Sequence, residues 1–189
     1  AVSHRLTQLL DRWSGEAVIV VGRFRDVLAA NALAVALNPG YRPGRNLVRD
    51  VFLDPEVGRV YADRDRIAEG AVAGLRASVG ADVDAPRLLE LVGELSVKSG
   101  EFRRLWNRFD VHEKGGGTKS FHHPDVGGLT LQSESFGVVA PEKQTVYVFF
   151  PERGTADEEK FAALAALVRG TSVPASSSTK GSASWRPGS

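Results

Sequence analysis

An aromatic stripe flanked by arginines is the part of this sequence best suited to bind a ligand. Phe102, Leu105, Trp106 and Phe109 are spaced three and four residues apart, which places them on one face of a helix. Ligand cavities are mostly apolar and aromatic with few polar groups, so the stripe could line a pocket. Amphipathic helices also bury such a face as ordinary core, and the spacing leaves both interpretations open. Trp106 is the foremost pocket candidate, because its indole N–H needs a partner when buried.

Two kinds of polar side chain near these apolar segments could also contact a ligand. Arg103, Arg104 and Arg108 alternate with the stripe and could capture a carboxylate through their paired N–H donors. A solvated face or ion pairs with Asp and Glu are the alternative. Asn31 follows an apolar strand, where a turn or cap role is the simpler interpretation and a ligand contact the alternative. We keep Arg104 and Asn31 as candidate ligand contacts.

Metal and catalytic chemistry find little support in the residue pattern. His122 and His123 are neighbours on a predicted strand, so their side chains point to opposite faces and serve one ion poorly. Gly115–Gly117 lacks the spacing of a phosphate-binding loop and predicts a hairpin turn instead. No serine has a nucleophile-elbow context, and no carboxylate pair has a defensible acid and base placement. We therefore predict no metal, no cofactor and no enzyme activity.

Composition narrows the class of protein further. The 189 residues, 42% of them hydrophobic, have room for one domain of ordinary size. With 24 basic and 23 acidic residues, no overall charge attracts the chain to nucleic acid or to an anionic membrane. There is no cysteine, no apolar run that could span a membrane and no signal peptide, so we expect a cytoplasmic protein. The absence of methionine, even at position 1, indicates a processed N-terminus or, as we expect, an excised fragment.

The N-terminal two thirds of the chain predict helices after a short hairpin. Residues 3–13 place leucines and Trp13 on one face of a leading helix. The β-branched run "AVIVV" (17–21) and the segment after Gly22 predict a hairpin that leads into the helix "NALAVAL". Asp54-Pro55 is a typical helix start, and amphipathic helices follow over residues 67–79 and 88–95.

After Asp110 the period changes to that of strands. Three segments predict an antiparallel meander: "VHEKGGGTKSFHH", "GGLTLQSESFGV" and "KQTVYVFF". In the last one, Tyr147 and Phe149 point away from Val146 and Val148, so both faces need cover. We expect the leading helix and a trailing helix over residues 155–170 to cover the Tyr147 and Phe149 face, opposite the face covered by the middle helices.

The order of these elements, two strands, helices and then three strands, is that of a PAS-like α+β fold. We predict a five-stranded antiparallel sheet with helices over one face and flanking N- and C-terminal helices, an arrangement that encloses a cavity. The predicted organisation is a linking helix (1–14), a PAS-like ligand-binding domain (15–170) and a disordered polar tail (171–189).

Four segments together resemble the ligand-binding domain of MmyB-like transcription regulators. They are "NLVRDVFLDPEVGRVYADRDRIA" (46–68), "LLELVGELSVKSGEFRRLWNRFDV" (88–111), "GTKSFHHPDVGGLTL" (117–131) and the strand at 145–150. The resemblance covers most of residues 6–168 and implies a PAS-like small-molecule sensor that follows an N-terminal helix-turn-helix. Ala30 and Phe109 depart from the family pattern, which tends to have tryptophan and histidine there. Nothing before Ala1 could form the DNA reader, so we expect DNA contact only through that absent domain.

The resulting hypothesis is an effector sensor. A small apolar or amphipathic, fatty-acid-like ligand would bind between sheet and helices and act on the attached DNA reader, in a homodimer. The predicted lining residues are Asn31, Phe52, Phe102, Arg104, Leu105, Trp106, Phe109 and Phe121. The alternative is a dimerisation or interaction module whose core is filled by its own side chains, with an enzyme on the same scaffold as a remote third possibility.

Overall fold

The fold consists of one antiparallel sheet with helices on both sides. The computed structural model describes residues 1–79, 84–108, 117–140 and 142–171. None of the helices in this part of the chain combines the length and the apolar character of a membrane span. The elements in chain order are α1 (His4–Arg12), β1 (Ala17–Gly22), β2 (Val27–Ala30), α2 (Ala32–Leu37), α3 (Leu47–Leu53), α4 (Pro55–Val60), α5 (Arg64–Val79), α6 (Pro86–Lys98), α7 (Gly100–Asn107), β3 (Gly117–His123), β4 (Gly127–Val138), β5 (Gln144–Phe150) and α8 (Ala156–Thr171).

The sheet has the strand order β2-β1-β5-β4-β3, and every neighbouring pair is antiparallel. The predicted α+β fold with a five-stranded antiparallel sheet is therefore confirmed. The first and last strands of the sequence pattern, β1 and β5, pair at its centre. Both strands carry apolar side chains on each of their two faces, so both faces of the sheet are buried there.

The face toward the crossover helices, which we call the lid face, holds the larger core. Tyr147 and Phe149 of β5 lie on it, so their predicted place on the opposite face is wrong. Tyr41 stacks on Phe149 with ring centroids 5.4 Å apart. The trailing helix α8 covers the face of Tyr147 and Phe149 as predicted, through Phe161 and Leu164, but that face is the lid face. The reason is that α2 is short and rich in alanine, and α8 fills the space left beside α2 and β4.

The opposite face, which we call the outer face, is covered by α1. Leu6, Leu10 and Trp13 of the leading helix pack on valines of β1 and β5 through the predicted amphipathic face. The prediction that this helix covers Tyr147 and Phe149 is wrong, because those side chains lie on the other face of the sheet. Ser3 starts the helix by accepting a hydrogen bond from the Leu6 amide at 3.3 Å. Leu9 is 45% exposed and lies at the edge of this contact. The leading helix is thus part of the packed fold.

A second core forms among α3, α5, α6 and α7, away from the sheet. It buries the predicted apolar faces of α5 and α6, including Leu75, Leu91 and Leu95. The stretch around the aromatic stripe is two helices, because Ser99 ends α6 and caps α7 by accepting from the Phe102 amide at 3.1 Å. We call this group the helical cluster and the larger core the sheet cluster.

Several predicted features fall outside the described residues. These are the helix stop at Gly80, the turn residues Gly115 and Gly116, Phe109 of the aromatic stripe, and the tail beyond Thr171. Gly117 is described and begins β3 with a φ of 144°, a backbone conformation that glycine adopts readily.

Candidate functional site

Three of the predicted lining residues meet in the helical cluster. Phe102 is fully buried and stacks on Trp106 with ring centroids 5.6 Å apart. Phe52 of α3 meets the edge of Phe102 at 5.3 Å. The spacing of three and four residues along α7 turns these side chains inward, and α3 supplies the opposing ring.

Trp106 also connects α7 to α5. The guanidinium carbon of Arg76 lies 4.2 Å from the centre of the Trp106 ring, which is a close cation–π contact. The indole is partly buried and contacts both Phe102 and Arg76. A displacement of α7 would therefore change the contact of Trp106 with Arg76 of α5.

Phe121 lies in the other core. It is fully buried on β3, 5.6 Å from the ring of Tyr61 and 6.3 Å from that of Phe149. The sheet cluster and the helical cluster share two side chains among the described residues, Phe52 and Leu105. We call the boundary at Phe52 and Leu105 the seam.

Asn31 acts as a helix cap, as one of its two interpretations predicted. Its side-chain oxygen accepts from the amides of Val18 and Ala34, both at 3.0 Å. Its side-chain nitrogen donates to the carbonyls of Trp13 and Glu16 at 2.9 and 2.8 Å. These four bonds tie β1 to the start of α2 and leave the side chain no free polar group for a ligand.

Two surface pockets open at the two ends of the seam. A pocket of about 420 Å³ lies between α5 and α7 and includes Leu105. Charged residues form most of its wall: Arg64, Asp65, Glu69, Glu101, Arg104 and Arg108. A pocket of about 400 Å³ lies beside α3 and α4 and includes Phe52. Arg104 is exposed and borders the first pocket, where its guanidinium can meet solvent anions.

Arg64 stands between the two pockets and lines both. Its guanidinium donates to Glu101 at 2.5 Å and to the Val51 carbonyl at 3.1 Å. It also lies 5.7 Å from the centre of the Phe52 ring. The pairing with Glu101 raises the pKa of Arg64, so Arg64 is charged where it lines the two pockets.

Two cations that were not among the predicted lining residues lie on the lid face. The Arg25 guanidinium donates to the Tyr147 hydroxyl at 2.6 Å and lies 5.2 Å from the centre of that ring. The Lys119 ammonium lies 5.2 Å from the centre of the Phe149 ring. Desolvation, with a smaller contribution from Arg25, lowers the pKa of Lys119 to about 8. The sequence does indicate the position of Lys119, because it lies two residues before Phe121 and therefore on the same face of β3.

The hairpin that carries Arg25 is fastened to α3. Asn46 donates to the Phe24 carbonyl at 2.8 Å and to the Asp26 carboxylate at 2.9 Å. The same side chain caps α3 by accepting from the amides of Val48 and Arg49. These bonds fix the position of Arg25 relative to the helices.

The histidines behave as the strand pattern predicts. His122 is exposed, whereas His123 is buried with its Nε2 2.8 Å from the Ala36 carbonyl. The Asp125 amide donates to His123 Nδ1 at 3.1 Å. Within the described ranges no three His, Asp or Glu side chains are grouped so that they could hold a metal ion.

One family model matches the sequence. It describes the MmyB-like transcription regulator ligand binding domain and matches residues 2–165. The matched region contains α1, all five strands and both clusters. A search of curated proteins finds no match for the chain.

Proposed function

Because the chain belongs to the family of MmyB-like transcription regulator ligand-binding domains, we propose that its effector is a small amphipathic, fatty-acid-like molecule. The regulatory sensing role follows from the family. The chemical class of the ligand, its site and the transmission to DNA are the proposal. The role is a binding one without a catalytic step, and we place it in the cytoplasm, where a regulator meets DNA.

The seam is the proposed ligand site. The supporting observation is that Phe52 and Leu105, which join the two clusters, also line the two surface pockets. Separating partly buried apolar side chains at a cluster boundary costs less free energy than opening a fully packed core. An apolar chain entering there would lie between α7 and the sheet, with Phe102, Trp106 and Phe121 on its two sides. The neighbouring Phe109 stays a predicted contact.

A thermal-shift experiment with a blocked seam tests this site. Sodium dodecanoate at about a hundred times its dissociation constant should add about 2.7 kcal/mol to the stability of the native chain. Leu105→Trp should fill the seam and remove most of that gain. Leu89→Trp, at an exposed position on α6, is the matched control and should respond as the native chain does. Equal responses of the two variants would contradict the proposed site.

We propose that the signal leaves through α1. Strands β1 and β5 contact the sheet cluster on one face and α1 on the other, through Val18, Val20, Val146 and Val148. A ligand that binds one arrangement of these strands more tightly shifts the position of α1. Residues 1–14 would then act as the link between the sensor domain, 15–170, and an N-terminal helix-turn-helix that contacts DNA.

A homodimer is part of this proposal, because operator-binding helix-turn-helix proteins commonly pair. Phe136 lies opposite Val146 in the sheet and so on the outer face, where it is 57% exposed. Leu9 of α1 is also exposed on this side. Light scattering at rising protein concentration would reveal the dimer, and Phe136→Asp should weaken it.

A second candidate function is a dimerisation module with a self-filled core. The observation in its favour is the filling of the lid face by Tyr41, Phe121 and Phe149. Denaturing extraction of the purified protein followed by mass spectrometry separates the two functions. A sensor should release a stoichiometric small molecule or take one up from a fatty-acid mixture, whereas a closed module should do neither.

A further inference from the structure

We propose that Arg25 and Lys119 form an anion-binding subsite on the lid face, which holds the carboxylate of the effector. The inference rests on the proposed function, because it supplies the polar end of the same ligand. It also separates this interior pair from Arg104, the anion-binding candidate of the sequence, which lies in the surface pocket.

The first support is the electrostatic isolation of the two cations. Neither Arg25 nor Lys119 has a carboxylate partner among the residues that the structure describes. The Nε of Arg25 is buried and has no hydrogen-bond partner there. Both side chains are partly buried, charges removed from water are normally paired, and the positive charge of Arg25 opposes that of Lys119. A bound anion would satisfy both.

The second support is the backbone of Arg25. Its φ of 69° makes it the sole non-glycine residue with positive φ in the described part of the chain. Such a conformation costs free energy and persists where surrounding contacts impose it. Here the imposing contacts are hydrogen bonds from the Arg25 amide to the Gly22 carbonyl and from the Leu47 amide to the Arg25 carbonyl, both 3.0 Å. The strained turn aims the guanidinium inward over Tyr147.

The third support is the surroundings of the pair. Gly74 of α5 faces Arg25, and a Cβ at that position would lie 3.5 Å from the guanidinium carbon. The Tyr147 hydroxyl already accepts from Arg25 and can donate its own proton to an anion. Aromatic rings of Tyr147 and Phe149 flank the charges. The subsite thus offers charged donors and a hydroxyl beside apolar surface, which suits a carboxylate on an apolar chain.

The test compares two probes with the same chain and different head groups, sodium dodecanoate and 1-dodecanol. We expect the native protein to bind dodecanoate roughly 10- to 100-fold more tightly, the range for a charged hydrogen bond. Lys119→Met should reduce this preference to about threefold or less. Arg25→Asn, which tolerates the left-handed backbone, should do the same. Arg104→Gln should retain the native preference.

A stability measurement distinguishes a ligand role from a structural one. A lysine held without an acidic partner costs stability, so Lys119→Met should melt at the same temperature as the native chain or higher. A lower melting temperature with an unchanged preference for dodecanoate would overturn the subsite, since it would reveal an internal partner for the lysine.

The remaining outcomes are also decisive. If Arg104→Gln loses the preference and Lys119→Met keeps it, the anion binds in the surface pocket, which overturns the subsite and leaves the proposed function standing. If the native chain binds neither probe by calorimetry, the proposed ligand class fails together with the subsite.

Discussion

Lys119 is a residue whose charge opposes folding and which we propose as part of an anion-binding subsite. Desolvation, added to by repulsion from Arg25, lowers its pKa to about 8 from an ordinary 10.5. In the unfolded chain the ordinary value applies. Between about pH 8 and about pH 10.5 the unfolded state therefore binds more protons than the folded state, and the Lys119 contribution to stability improves as the pH rises.

The sign of this effect gives a prediction for Lys119→Met. The variant should gain stability over the native chain at about pH 7, and the gain should shrink at about pH 10. Urea unfolding at both pH values measures the difference. Tyr41 and Tyr61, whose pKa values burial raises, are present in both proteins, so their contributions cancel.

Lys98→Met is a suitable control for this comparison, because Lys98 is exposed on α6 and bonds Glu94 at 2.8 Å. It removes the same charge from the surface and should give no gain at about pH 7. An equal offset of Lys119→Met at the two pH values would contradict a partly buried ammonium group without an acidic partner.

At the scale of elements, the hairpin and α3 form one anchored unit. Arg45 precedes α3 and pairs with both Asp50, at 2.7 Å, and Asp54. The Asp50 side chain is 3% exposed, and desolvation raises its pKa despite the pairing. Together with the Asn46 bonds, this network holds the turn that bears Arg25 against the helices.

We predict that Arg45→Met destabilises the fold by about 3 kcal/mol, because it leaves the Asp50 carboxylate buried with a weakened set of partners. The double variant Arg45→Met with Asp50→Asn should recover part of the loss, since it removes the stranded charge. Chemical denaturation provides the free energies. Losses that simply add in the double variant would indicate that the two side chains are not coupled.

The positions of the helices and strands could be predicted from the sequence, but not all of their boundaries and packing. Capping residues such as Ser3, Asn31 and Asp54, and the β-branched run of β1, act locally, so the positions of helices and strands could be predicted. The break at Ser99 was missed because the apolar spacing continues across it. The face on which α8 packs depends on its contacts with α2 and β4, which periodicity does not encode.

The candidate site was predictable only in part for a related reason. Phe52, Phe102 and Trp106 meet through helix spacing and the packing of neighbouring helices, which a pattern can indicate. Arg25 meets Tyr147 across more than half of the chain, through the register of β1 with β5. A contact of that kind depends on which strands pair in the sheet, so it could not be predicted from patterns in a single sequence.

At the scale of the whole molecule, the sheet separates the proposed ligand site from α1, the proposed output helix. The lid face carries the sheet cluster, the seam and the two cations, whereas the outer face carries α1. The central strands β1 and β5 belong to both sides. In the proposed mechanism this shared pair of strands couples ligand binding to the position of α1, and such a coupling is reciprocal.

Hydrogen–deuterium exchange with and without sodium dodecanoate tests the central claim most directly, because it locates the ligand without a variant. The account predicts slower exchange in α5, α7 and β5, which border the lid face, and a change in α1 on the far side of the sheet. The exposed surface of α6 serves as the internal reference. Unchanged exchange throughout, or protection confined to α6, would contradict a ligand between the sheet and its lid.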